Sequence, residues 1–192
     1  MKRPLALLII SLLVFATAAF AGTIEGKVSS GNSVVYVDSI PGKTFPAPTK
    51  DPLIDQKGLK FNPTVLVVQQ GTTVDFQNDD TVQHNVFWPS ISGNKKEGHN
   101  LGTWPKGEKR SFKFDQPGVV PLLCNVHPEM SGYIFVVPTP YFAVTDKDGN
   151  FLIKDVPPGQ YTLKTSSENG KPAAQPVTVA SSPVNVNLTV SK

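Results

Sequence analysis

After residue 21, no stretch of this chain carries a helical pattern long enough for a helix of even moderate length. Apolar residues come instead in short runs rich in Val, Ile, Phe and Tyr, each ended by a turn signal, and the 18 prolines and 15 glycines are spread between them. Many short strands and many turns predict an all-β protein. At 192 residues there is room for one large domain or two small ones.

The first 21 residues are a different material. Lys2 and Arg3 give a positive start, Leu5 to Phe15 an apolar run, and Ala19-Phe20-Ala21 a small-x-small cleavage pattern. Together they read as a secretory signal, with a mature chain starting at Gly22. An uncleaved anchor is the weaker reading, because the apolar run is short for a span of about 20 residues. The protein is therefore expected to be periplasmic or secreted, with no membrane span once the signal is removed. Removing residues 1–21 takes away two positive charges and no negative ones, so the net charge falls from +3 to +1. A near-neutral surface gives no reason to expect nucleic acid or an anionic membrane as partner.

Along the mature chain, Gly22 to Val37 reads as two strands around Ser30-Gly31-Asn32, and residues 38–58 as a long loop. Phe61 to Val68 and Thr72 to Gln77 read as a hairpin or bent strand pair, followed by the polar loop Asn78-Asp79-Asp80. Phe87 to Lys106 reads as irregular and surface-lying. Lys109 to Phe114, Val119 to Leu123 and Tyr133 to Val137 read as strands. Beyond Pro140 the texture changes, with Asp148-Gly149 marking a hairpin and further strands at Val177 to Val179 and Val184 to Val190. The whole predicts two β-sandwich modules joined near Val137.

Between two of these strands lies Cys124-Asn125-Val126-His127-Pro128-Glu129-Met130. It holds the single cysteine, one of three histidines and one of two methionines. In an exported chain one cysteine makes no internal disulfide, so Cys124 is a buried apolar side chain, a free thiol or a ligand. Taken alone, Cys124 and His127 would each read as structural. Their spacing lets thiolate and imidazole converge from one tight loop, with Met130 approaching along an axis and Pro128 stiffening the turn. Thiolate, imidazole and weak thioether are copper ligands, and His84 is the obvious source of a second imidazole. Zinc fits less well, since a structural zinc site takes four Cys or His ligands.

The C-x-x-H-x-x-M run, together with His84-Asn85-Val86 behind Gly71, Val74 and Phe76, resembles the cupredoxins, the blue-copper proteins. The short loop is similar to that of the amicyanins, and residues 55–137 resemble plastocyanin-like methylamine utilisation proteins. The resemblance implies a Greek-key β-sandwich binding one type 1 copper through His84, Cys124 and His127, with Met130 as a weak axial ligand. It also implies that Asn85 and Asn125 tie the two ligand loops together. Residues 141–192 resemble the carboxypeptidase regulatory-like domain, a small transthyretin-like β-sandwich, through Thr145-Asp146-x-Asp148-Gly149-x-Phe151 and Val156-Pro157-Pro158-Gly159-x-Tyr161-x-Leu163. That piece is too short for a whole sandwich, and residues 22–37 look like its opening strands. The expected division is a signal over 1–21, N-terminal strands shared with the regulatory-like sandwich over 22–45, a cupredoxin domain over 46–138 and the regulatory-like module over 139–192.

The function this implies is an exported carrier of single electrons between redox partners; the alternative is an exported copper-binding, storage or adhesion-type binding protein with no electron-transfer role. Electron exit is expected at His127, beside an apolar docking patch of Val126 and Pro128 extended by Trp88 and Phe87, for transient redox donor and acceptor proteins and a monomeric carrier. A multicopper enzyme would need more histidines, and only His99 is left, which reads as a solvated loop residue. No nucleophile and base pair is in view, so no enzymatic activity is expected. Asp146 and Asp148 read as turn residues and not as a calcium loop.

Overall fold

The computed structural model describes residues 21–167 and 171–190, so the expected signal over residues 1–21 lies, but for Ala21, outside the described residues. In chain order the strands are β1 Gly22–Val28, β2 Val34–Val37, β3 Leu53–Gln56, β4 Phe61–Asn62, β5 Val65–Gln69, β6 Thr72–Asn78, β7 His84–Trp88 and β8 His99–Trp104. They continue as β9 Lys109–Phe114, β10 Gly118–Leu123, β11 Ser131–Val137, β12 Phe142–Val144, β13 Asn150–Val156, β14 Gly159–Ser166, β15 Ala174–Val179 and β16 Val184–Leu188. Among the described residues the one helical segment is a 3-10 turn, Lys95–Glu97. The chain is all-β.

Four sheets build two sandwiches. One pairs a five-stranded sheet, β5-β11-β10-β7-β8, with a four-stranded sheet, β4-β3-β6-β9. Its core includes Ile54, Phe76, Val86, Trp88, Trp104, Phe114, Leu122, Cys124, Met130 and Ile134. The other pairs β13-β1-β16 with β12-β2-β14-β15. Here β1 lies between β13, antiparallel, and β16, parallel, while β2 lies between β12 and β14. The first two strands of the described chain thus share sheets with the last five.

Two strands are buried on both faces, and their unbroken apolar sequences follow from that. In β11, Ile134 and Val136 enter the first core, while Phe135 and Val137 turn the other way. In β2, Val35 and Val37 enter the second core, while Val34 and Tyr36 turn the other way. Val34, Phe135 and Val137 meet in a third cluster with Tyr36, Val67, Val119, Tyr133 and Phe142. The outer face of the β5-β11-β10 sheet is therefore packed on the outer face of β12-β2.

Four expectations about the strands change. Residues 38–58 contain β3, whose Ile54 and Gln56 are buried and which runs parallel to β6; four residues with one strongly apolar inward side chain leave a weak pattern. The run from Phe87 to Lys106 contains the end of β7 and all of β8, a polar edge strand with little apolar signal. Phe61 to Gln77 is not a simple hairpin, since β5 and β6 lie in different sheets and Gln70-Gly71 carries the chain across, Gly71 at φ 86°.

The fourth concerns the hairpin expected at Asp148-Gly149: β12 and β13 lie in different sheets, so the turn between them crosses from one sheet to the other, and it is built on Asp146. Its carboxylate accepts from the backbone N–H of Asp148 and Asn150 at 2.9 and 2.8 Å and from the Asn150 side-chain amide at 2.9 Å. Gly149 sits at φ 87°, and a Cβ there would collide with the Val28 carbonyl. The bond from the Asn150 side chain, followed by its backbone N–H, holds the Asp146 carboxyl below its ordinary pKa. A depressed folded-state pKa stabilises above the unfolded value, about 3.9, and that contribution disappears as pH falls through the folded one. Asp146→Ala is expected to lower the melting temperature at pH 7, with the gap from the parent closing in acid. Thermal scans from pH 7 to pH 2 measure this, and a constant gap would show that the carboxylate's charge is irrelevant.

Candidate metal centre

The centre lies at one end of the first sandwich, where β7 begins and β10 ends. Leu123 pairs with Phe87, which sets the end of β10 beside β7 and delivers Cys124 next to the ligand strand. The chain then turns tightly, closed by the Met130 N–H donating to the His127 carbonyl at 3.0 Å, and re-enters the sheet as β11. Pro128 sits inside this turn, where its fixed φ limits how far the loop can open.

The structure brings His84, Cys124 and His127 together. One ligand atom from each falls within 4.8 Å of the others. The two histidine Nδ1 atoms are 3.0 Å apart and the Cys124 sulfur is 3.9 Å from Nδ1 of His127. His84 is 0% exposed and Cys124 3%, while His127 is half-buried. Met130, 1% exposed, is buried in the same core cluster as Cys124.

These residues fit a copper ion. Atoms bound to one ion at about 2.0 to 2.3 Å lie within roughly 4.6 Å of each other, close to the spread observed. Two ring nitrogens 3.0 Å apart are held favourably by a proton or cation between them. One thiolate and two imidazoles form the trigonal donor set of blue-copper sites.

Hydrogen bonds hold the donors in place. The Asn85 backbone N–H donates to the Cys124 sulfur at 3.4 Å. The Asn85 side chain, buried, accepts from the Asn125 N–H at 3.2 Å and donates to the Asn100 side-chain oxygen at 2.9 Å and the Gly102 carbonyl at 2.7 Å. Asn85 and Asn125 therefore link the two ligand loops, and β8 anchors the link. Asp80 reaches Nε2 of His84 at 3.2 Å. Its carboxyl is held down at about 2, first by the Leu59 backbone N–H, then by His84 and the Thr81 N–H. Asn78, buried, caps this loop by accepting from the Asp80 N–H and donating to the carbonyls of Val82 and Trp104.

Sequence reasoning did not single out Asp80, Asn78, Asn100 or Gly102 for the site. The Asn78-Asp79-Asp80 run carried one usable signal, since an Asn accepting from the N–H two residues on is a common turn device. Asn100 and Gly102 become visible only through the β7–β8 register.

Around the ligands, Val126 is 48% exposed and Pro128 is exposed, with Val82 and Leu59 also open to solvent. Trp88 does not extend this patch. It is 1% exposed, its ring packs on Phe112, Phe114 and His99, and its indole N–H donates to the Glu97 carbonyl at 3.0 Å. As the fifth residue of β7, on the inward face with His84 and Val86, it points into the sandwich. His99 is likewise no loop residue; it lies on β8 opposite Trp88, exposed yet stacked on Trp88 and Phe112.

Residues 51–137 match the family of copper binding proteins of the plastocyanin/azurin type, and residues 133–191 match the carboxypeptidase regulatory-like domain. Amicyanin-alpha of Methylorubrum extorquens is 27% identical over 126 residues, spanning 65% of this chain and 97% of that protein. A purple cupredoxin from Nitrosopumilus maritimus is 26% identical, covering 45% of this chain and 99% of its own, with a TM-score of 0.41. A copper-containing nitrite reductase from Thermus scotoductus is 25% identical, covering 54% of this chain and 25% of its own, with a TM-score of 0.44.

Proposed function

From a chain whose residues 51–137 are a copper-binding domain of the plastocyanin/azurin family, we propose an exported, monomeric carrier of single electrons between transient redox partners. The observation that carries this reading is the meeting of one buried thiol and two imidazoles within 4.8 Å. In this reading His84, Cys124 and His127 hold one copper and Met130 adds a weak fourth contact. Copper in such a donor set supplies a one-electron couple.

The protein's own part is to keep the donors still. Asn85 and Asp80 fix the ligand loops, and the burial of His84, Cys124 and Met130 excludes water, so the site changes little between charge states. His127 is the ligand nearest solvent, flanked by the exposed Val126 and Pro128. A small apolar patch of that kind suits weak, short-lived docking by an electron donor or acceptor. Beyond His84 and His127 the sequence has one histidine, His99, too few for the additional centres of a multicopper enzyme. Export, to the periplasm or beyond, rests on the charged and apolar opening of the sequence. We read residues 46–138 as a copper domain set into a sandwich built from residues 22–45 and 139–192, supported by the pairing of β1 with β13 and β16.

The test is to load the purified mature protein with Cu(II), then record its visible spectrum and voltammogram. An intense sulfur-to-copper band, absent in Cys124→Ala, with reversible one-electron reduction is expected. Copper that binds without colour and does not cycle would overturn the carrier role in favour of storage.

A further inference from the structure

The geometry points to Asp80 as a positioning residue of the site, one that sets which nitrogen of His84 is free and biases the bound ion toward its more oxidised state. This rests on the electron-carrier reading for its second half only.

A carboxylate at neutral pH accepts and does not donate. With Oδ2 of Asp80 3.2 Å from Nε2 of His84, the proton of a neutral imidazole must sit on Nε2. The lone pair is then left on Nδ1, the atom that faces His127 at 3.0 Å. One hydrogen bond therefore decides whether His84 presents a donor or a bare nitrogen to the place where the three ligand atoms meet.

Asp80 is itself held from several sides. Oδ2 also accepts from the Leu59 N–H at 3.0 Å, Oδ1 from the Thr81 N–H at 2.9 Å, and the Asp80 N–H donates to Asn78 at 2.9 Å. Leu59 belongs to the turn between β3 and β4, so the carboxylate ties His84 to the opposite sheet of the sandwich. Its only ion-pair partner among the described residues is His84. Among the described residues no lysine or arginine forms an ion pair with it, and the Asp80 side chain is 16% exposed. A fixed, unshared negative charge one imidazole ring away from the ion favours the higher positive charge there, which lowers the reduction potential.

Two measurements on the whole mature protein test this. In the metal-free protein, ring nitrogen-15 shifts are expected to show His84 with its proton on Nε2, and Asp80→Ala is expected to mix the two tautomers. In the copper-loaded protein, Asp80→Asn keeps an acceptor oxygen but removes the charge. The ratio of Cu(II) to Cu(I) affinity is expected to fall at least tenfold, equivalent to a rise of 59 mV for a one-electron couple. A wild-type His84 protonated on Nδ1, or an unchanged ratio in Asp80→Asn, overturns the assignment. If the wild type takes up no redox-active copper, the carrier reading fails by itself, while the metal-free tautomer still decides what Asp80 does to His84.

Discussion

Trp88→Ala is expected to lower the unfolding free energy by about 3–5 kcal/mol, the range for removing a large buried aromatic. The ring is 1% exposed and sits between the two sheets of the first sandwich, with ring centroids 4.8 Å from Phe112 and 5.2 Å from Phe114. Truncation opens a cavity that strands β7 and β9 cannot close, because each is held in register by its own ladder. It also leaves the Glu97 carbonyl without its indole donor, at a further cost of about 1 kcal/mol. Against a total stability of about 5–15 kcal/mol this is a large fraction. Urea unfolding of the parent, Trp88→Ala and Trp88→Phe measures it, with the Phe variant expected to lose much less because it keeps a ring in the gap. A loss below about 1 kcal/mol for the Ala variant would mean that the indole behaves as a surface side chain after all.

That position shows where the sequence stopped being legible. An aromatic residue just past an expected ligand reads equally well as docking surface or as core. The choice depends on whether β7 continues to residue 88 and on what β9 places opposite, and neither is local information. The ligand loop is different: Cys124, His127 and Met130 lie within seven residues, so chain connectivity alone brings them near each other. His84 was legible from donor chemistry, because a thiolate, an imidazole and a thioether lack one imidazole. Asp80 and Asn100 were not, because their bonds depend on the β3–β4 turn meeting the His84 loop and on the β7–β8 register.

The strands follow the same division. Those with alternating or continuous β-branched residues, such as β2, β6 and β11, were visible in the sequence. The edge strand β8 was not, since solvent takes most of its side chains, and the short β3 was not, since it carries one strongly apolar inward side chain. The continuous apolar run of β11 carried a further message, that both of its faces are covered. Its outer face meets β2 and β12 through Phe135, Val34 and Phe142, so the sheet that carries Cys124 at the end of β10 is backed by the second sandwich.

The second large effect is expected at Asn85. Asn85→Ala removes an oxygen that accepts from Asn125 and an amide that donates to Asn100 and Gly102, all within 3.2 Å. The three partners are near solvent, so water replaces part of what is lost and the cost in stability is expected to be about 1–3 kcal/mol. The consequence for the site is larger in proportion, because this side chain is the bridge between the strand that holds His84 and the loop that holds Cys124 and His127. With the bridge gone, the loops remain joined by the Leu123–Phe87 pair and by the Asn85 N–H on the cysteine sulfur, neither of which fixes Asn125. Copper affinity is expected to fall about 10- to 100-fold, the usual cost of losing a residue that orients metal ligands. Competition with a chelator of known affinity measures it. Asn85→Asp, which keeps the acceptor for Asn125 but loses the donor to β8, separates the two halves of the bridge: near-parental affinity there would show that the bond to Asn125 matters and that the anchor on β8 does not.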